Sequence, residues 1–159
     1  MHAKREVVVR EIRKREQENI AATKAARDML SQKNLEAAES FLAKNKNKQG
    51  VTTTASGLQY EVINPGEGAK PGATSTVSVH YTGKFIGGVT FDSSVSRGTP
   101  LTFSIDGVIA GWIEGLQLMS VGAKYRFYLH PKLGYGEGGR TNIPPNSLLI
   151  FDVELLEIR

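Results

Sequence analysis

Asp92 carries the sharpest chemical question in this chain. It follows Phe91 in the run Phe91-Asp92-Ser-Ser, and a carboxylate buried beside a ring is costly unless hydrogen bonds reach it. Tyr135 stands in a second turn, Leu133-Gly-Tyr135-Gly, while Tyr81 and Trp112 lie within apolar patterns. Tyrosine and tryptophan each combine a large apolar body with one polar handle that needs a partner when buried. Any one of these residues reads as simple core filling. Taken together, several rings and a few convergent polar groups suit a concave apolar pocket.

Other chemistries lack their residues. His2, His80 and His130 are scattered and there is no cysteine, so neither a metal site nor a disulfide is expected. No Gly-x-Ser-x-Gly turn is present. Gly134-Tyr-Gly136-Glu-Gly-Gly139 fits the dinucleotide pattern by letter, but that pattern works only where a strand leads into a helix. Here it runs into Arg-Thr-Asn-Ile-Pro-Pro, which cannot open a helix. The run reads as a surface loop, and no cofactor is expected.

The elements that must position these residues fall into two parts. Residues 4–46 contain no glycine or proline and are rich in Ala, Glu, Lys, Arg and Gln, which predicts one long helix. Its apolar residues form separate patches, Val7-Val8-Val9 with Ile12, and Leu35, Ala38, Phe41 and Leu42, without a continuous heptad. Such a helix is expected to be solvated on most faces or to bridge two bodies. Sixteen glycines and all six prolines lie beyond Gly50. There the period becomes two: Leu58, Tyr60, Val62; Val77, Val79, Tyr81; Tyr125, Phe127, Leu129; and Leu149, Phe151, Val153, Leu155. These runs predict antiparallel strands with one buried face. Trp112, Leu116 and Met119 share one face of a short helix over 111–119. The expected class is α+β, a curved antiparallel sheet wrapped on one short helix and preceded by the long one. The divisions are 1–48 for the linker helix, 49–55 for a connection and 56–159 for the domain.

The charge follows the same division. Residues 1–50 hold 12 Lys/Arg and 7 Asp/Glu, net +5, and residues 51–159 hold 8 and 9, net −1. The cations of the helix are interleaved with acids and Phe41 is its only aromatic, which argues against nucleic-acid binding. No apolar run reaches the roughly 20 residues of a membrane span.

In order, SGLQYEVINPGEG, VHYTGKF, FDSSVSRGTPLTF, VIAGWIEGLQLMSVG and LGYGEGGRTNIPPNSLLIFDVELLEI resemble the FKBP-type peptidyl-prolyl isomerases, continuously over residues 56–159. The helix end AESFLAKNKNKQGV leading into SGLQY resembles the bacterial macrophage-infectivity-potentiator branch. The resemblance implies cis/trans isomerisation of X–Pro bonds in a pocket made by Tyr81, Phe91, Asp92, Phe103, Val108, Ile109, Trp112, Tyr135, Ile143 and Phe151. It assigns catalysis to Asp92, Tyr135 and Tyr81, and substrate binding to the others. The Ile109 N–H and the Tyr135 hydroxyl would each hold a substrate carbonyl. Leu101 stands where the family is often aromatic, and Asn142 where its smallest members have isoleucine, so peptide preference and affinity for FK506- or rapamycin-type macrolides are left open.

The same resemblance implies proline-containing peptides and unfolded proteins as partners, and a cell-envelope location, with the cytoplasm as the alternative. It also leads us to expect that the branch's dimerisation region is missing. This chain would then be a monomer, its parent a homodimer through that region. The rival reading is a chaperone-type module that holds unfolded chains with incidental isomerisation, gripping them along the Leu133–Asn146 loop.

Overall fold

The structure, a computed structural model, describes residues 2–159, and side-chain burial from Lys4 onward. The glycine-free opening forms a single helix, α1 (His2–Asn45). Its 44 residues span about 66 Å. Seven strands follow: β1 (Val51–Thr53), β2 (Gln59–Asn64), β3 (Thr76–Lys84), β4 (Thr90–Ser93), β5 (Leu101–Ser104), β6 (Lys124–Leu129) and β7 (Leu149–Ile158). They form one sheet in the order β1-β2-β6-β7-β3-β4, every pair antiparallel. β4 and β5 share one edge of β3: β4 takes Thr82–Lys84 and β5 takes Thr76–Val79.

Two short helices complete the domain, α2 (Ser94–Arg97) and α3 (Ala110–Leu118). α3 turns Gly111, Trp112, Gly115 and Leu116 to the buried side. A Cβ on Gly111 would fall 2.5 Å from the Leu129 side chain, and one on Gly115 would fall 2.7 Å from the Phe127 ring. Glycine at these two places lets the helix backbone lie directly on the sheet. The enclosed core includes Leu58, Val77, Val79, Leu116, Met119, Phe127, Leu149 and Leu155, all essentially without exposure.

The expected architecture is present, with two differences of detail. The four alternating runs are β2, β3, β6 and β7, but β1, β4 and β5 carry no alternation because each has only three or four residues. Val62, placed by parity on the buried face, is 47% exposed where the β2–β6 register shifts.

α1 differs more. From Lys4 to Leu30 it is exposed, as a polar helix should be, and Val7, Val8, Val9 and Ile12 stand in solvent. Its last third is docked. Ala38 and Leu42 pack with Tyr128 and Leu148 in a second core on the outer face of the sheet, joined by Phe41, Val51 and Ile150. The Phe41 and Tyr128 rings lie 5.8 Å apart. Below them Asn45 Nδ2 donates to Gln59 Oε1 (2.8 Å), and Gln59 Nε2 donates to the Leu42 carbonyl (2.9 Å), which also accepts from the Lys46 N–H.

Candidate functional site

The site begins at Gly83. In register it faces Asp92 on β4 and Phe151 on β7. A Cβ there would meet the Phe91 ring at 2.6 Å and the Phe151 ring at 2.8 Å, so the missing side chain makes room for both. The two rings meet edge to face at 5.6 Å, and Trp112 stands edge-on to Phe151 (5.2 Å) and to Tyr81 (5.1 Å). Offset and T-shaped contacts of this kind are the favoured aromatic geometries. Around them lies an open cavity of about 580 Å³, lined by Tyr81, Phe91, Asp92, Leu101, Gly107, Val108, Ile109, Trp112, Tyr135, Arg140 and Phe151.

The Phe-Asp-Ser-Ser turn is fixed before Asp92 is aimed. Ser94 is fully buried; its Oγ accepts from the Tyr81 backbone N–H (2.7 Å) and bonds His80 Nδ1 (2.9 Å). Ser93 Oγ caps α2 by accepting from the Ser96 N–H, and Gly98 closes it in the left-handed region at φ 74°. Arg97 is thereby returned over the Tyr81 ring, 5.8 Å from its centre. It pairs with Asp92 and donates to the Tyr81 hydroxyl at 3.1 Å, while that hydroxyl donates to Asp92 Oδ2.

This triangle fixes the protonation states. Burial raises the Asp92 carboxyl, but the bond from Tyr81 and the bond and charge of Arg97 outweigh it and hold it below the ordinary carboxylate value. Burial, and then the bond to Asp92, push the Tyr81 phenol upward. Around neutrality the cavity edge therefore carries an ionised carboxylate and a neutral phenol. Neither is poised to exchange a proton near pH 7.

The opposite wall is a loop. A 3-10 turn, Pro131–Leu133, leads into Gly134–Gly139 without any helix, so the dinucleotide-like pattern stays a turn; Gly136 and Gly139 take φ near 60°. Tyr135 faces the cavity, and Arg140 Nη1 donates to its hydroxyl oxygen at 3.1 Å with the guanidinium 5.4 Å from the ring centre. A hydroxyl that accepts from arginine keeps its own hydrogen for another acceptor. At the start of α3 the Ile109 N–H has no acceptor within the chain among the described residues. Trp112 Nε1 is buried without a partner among the same residues, enclosed by rings.

Residues 67–156 match the family model described as FKBP-type peptidyl-prolyl cis-trans isomerase. The chain belongs to that family.

Residues 1–62 match a second model, the domain amino terminal to FKBP-type peptidyl-prolyl isomerase. This corrects the expectation that the family's amino-terminal region is absent. The chain is 54% identical over 136 residues to the FKBP-type isomerase FkpA of Aeromonas hydrophila, covering 86% of this chain and 51% of that one. It is 56% identical over 119 residues to the FKBP-type 22 kDa isomerase of Escherichia coli, covering 74% and 58%. It thus spans little more than half the length of these curated relatives. The crystal structure of FkpA from Escherichia coli superposes with a TM-score of 0.92 at 38% identity, covering 96% of this chain and 71% of that one.

Eight of the ten site residues expected from the FKBP-type pattern line the cavity. Phe103 and Ile143 do not. Phe103 packs behind Trp112, with ring centres 5.6 Å apart, and Ile143 is buried in the core, its backbone paired with Arg140. Two lining residues, Gly107 and Arg140, carry no expectation from the sequence, and Leu101 lines the wall at the place where the family is often aromatic. Arg97 was also missed. Its place five residues after Asp92, followed by a glycine that turns the chain back, was the available signal.

Proposed function

We propose that this chain is a peptidyl-prolyl cis/trans isomerase that assists protein folding by holding an X–Pro segment in the aromatic cavity. The observation that carries the reading is the joining of a ring-lined cavity to a carboxylate locked by Tyr81 and Arg97. Rotation about the X–Pro bond faces a barrier of about 18–20 kcal/mol because it breaks amide conjugation. A site need only bind the twisted amide better than either planar form, and each ~1.4 kcal/mol of that difference is tenfold in rate.

In this reading Trp112, Val108, Phe91 and Phe151 enclose the proline ring and exclude water. Losing conjugation, the C–N bond becomes less polar, which an apolar enclosure favours over water. The unengaged Ile109 N–H anchors one substrate carbonyl and the Tyr135 hydroxyl another. Asp92, held by Tyr81, biases the field around the rotating bond. Phe103 and Ile143 act as backing for Trp112 and Tyr135. No covalent step or proton transfer is involved.

The test is exchange NMR on an Ala-Leu-Pro-Phe peptide with and without protein. Acceleration that Asp92→Ala sharply reduces is expected; no acceleration by the intact protein would defeat the proposal. Partners in this reading are proline-containing peptides and unfolded proteins, with FK506- and rapamycin-type macrolides as competitive inhibitors. The macrophage-infectivity-potentiator branch, a cell-envelope location and a homodimer belong to the same proposal. Val7, Val8, Val9 and Ile12, exposed on α1, support pairing at that end. Sedimentation as a monomer at every concentration tried would count against this part.

A chaperone-type holding role is the second reading, favoured by a further cavity between α1 and the 133–146 loop, lined by Leu30, Asn142, Ile143, Pro144 and Pro145 among others. Suppression of aggregation that survives Asp92→Ala would establish holding apart from isomerisation.

A further inference from the structure

Arg140 stands between two cavities. On one side it lines the aromatic cavity beside Tyr135; on the other it lines a space of about 670 Å³ between α1 and the loop. The charges of the aromatic cavity are otherwise balanced, because Asp92 is paired with Arg97. Arg140 is not. Among the described residues no carboxylate lies within ion-pair distance of it, and its one side-chain hydrogen bond goes to the Tyr135 hydroxyl.

The second cavity strengthens the imbalance. Its wall includes Arg27, whose Nη2 donates to the Gly138 carbonyl at 2.8 Å, and it includes no acidic residue. The nearby acids, Asp28 and Glu137, line the neighbouring groove on the other side of Arg27 and Gly138. A chain leaving the aromatic cavity past Tyr135 therefore meets an exposed guanidinium with unused donors, then a second cation. The planar fork of arginine matches a carboxylate in two-point geometry, which lysine does not. Stacking on Tyr135 holds the fork in place beforehand, so less freedom is lost when a partner arrives.

We propose that Arg140 is a specificity-determining residue that favours substrates bearing Asp or Glu next to the proline. The inference rests on the isomerase reading above. It is tested by exchange NMR on two peptide pairs, Ala-Glu-Pro-Phe with Ala-Gln-Pro-Phe, and Ala-Ala-Pro-Glu with Ala-Ala-Pro-Gln, the last two amidated at the C-terminus. The Gln members keep shape and remove charge. At low salt the Glu member of at least one pair should show about two- to fivefold higher kcat/KM, the range of an exposed ion pair. The advantage should shrink in 0.5 M NaCl, where the screening length falls to roughly 4 Å. Arg140→Gln should bring the Glu/Gln ratio to about one, and Arg140→Glu should invert it. Equal rates for Glu and Gln at both positions, or a ratio that persists in Arg140→Gln, would overturn the proposal while leaving isomerisation standing. No acceleration of any of the four peptides would instead remove the isomerase reading, and this inference with it.

Discussion

Asn146 Nδ2 donates to the Ser31 hydroxyl at 2.8 Å and to the Ser31 carbonyl at 3.3 Å, joining residues 115 positions apart. Asn34 Nδ2 adds a bond to the Pro145 carbonyl at 2.9 Å and Arg27 one to Gly138. The loop that carries Tyr135 and Arg140 is thus bonded to α1 as well as to its own strand ends. Asn146 is buried and takes φ 53°, a left-handed conformation that asparagine tolerates better than most residues.

Asn146→Ala should therefore cost about 1–3 kcal/mol, combining lost bonds with backbone strain. Asn146→Gly loses the same bonds without the strain and should cost less. Urea unfolding gives both values, and hydrogen exchange should speed up at Gly136–Ile143 in each variant. Unchanged exchange in both would show that α1 does not hold the loop.

Asp92→Ala should lower isomerisation about tenfold or more, the scale of a lost charge-assisted contact, with circular dichroism unchanged. Tyr135→Phe should lower it about two- to tenfold. The Asp92–Arg97 pair is about half exposed, so its loss should move stability little. If both variants retain full rates, the roles assigned to these residues are wrong.

Isomerisation should be nearly flat between about pH 6 and 8, since the shifts on Asp92 and Tyr81 both point away from that window. Stability should respond at alkaline pH. Burial and the bond to Glu61 push the Tyr128 phenol from its ordinary 10.0 up to about 12. The folded chain keeps that proton after the unfolded chain has released it, so the contribution is complete below pH 10 and is lost as pH rises to about 12. Melting temperatures across that range should fall less steeply in Tyr128→Phe; parallel curves would count against the assignment.

Trp112 is the chain's single tryptophan, so indole fluorescence reports the cavity alone. Adding an FK506-type macrolide should shift that emission and raise the melting temperature. Absence of both effects would mean that the cavity does not accept such a ligand.

Leu42→Ala should destabilise the protein by about 2 kcal/mol or more if the outer core is cooperative with the domain. Leu42 is 8% exposed and packs against Tyr128 and Leu148. A change below about 0.5 kcal/mol would indicate a loosely attached helix.

These contacts mark the limit of what the sequence made legible. Periodicity located β2, β3, β6, β7 and α3, because each is long enough to repeat its pattern, and the long run without glycine or proline located α1. β4 and β5 are too short to do so, yet β4 delivers Phe91 and Asp92. Leu35, Ala38, Phe41 and Leu42 were visible as a patch, but Tyr128 and Leu148, which they meet, could not be paired with them from spacing alone. Parity turned Tyr128 away from the main core, and only the fold shows that α1 covers it. Eight of the ten residues carried over from the resemblance reach the cavity wall. Phe103 and Ile143 stop behind it, since depth along a wall is set by packing and not by order in the chain. Arg97 and Arg140 escaped notice because an arginine in a turn reads as an ordinary surface charge.

The docking of α1 has a mechanical consequence. A flexible tether would leave the cavity free to point in any direction. Here the stretch from Arg27 to Asn45 is mounted on the sheet and the loop, while Lys4–Ala26 runs free for about 35 Å. That free length is a lever arm rigidly fixed to its load. Whatever turns its far end turns the mouth of the cavity with it, so the bearing of the cavity is set as much by the helix as by the pocket.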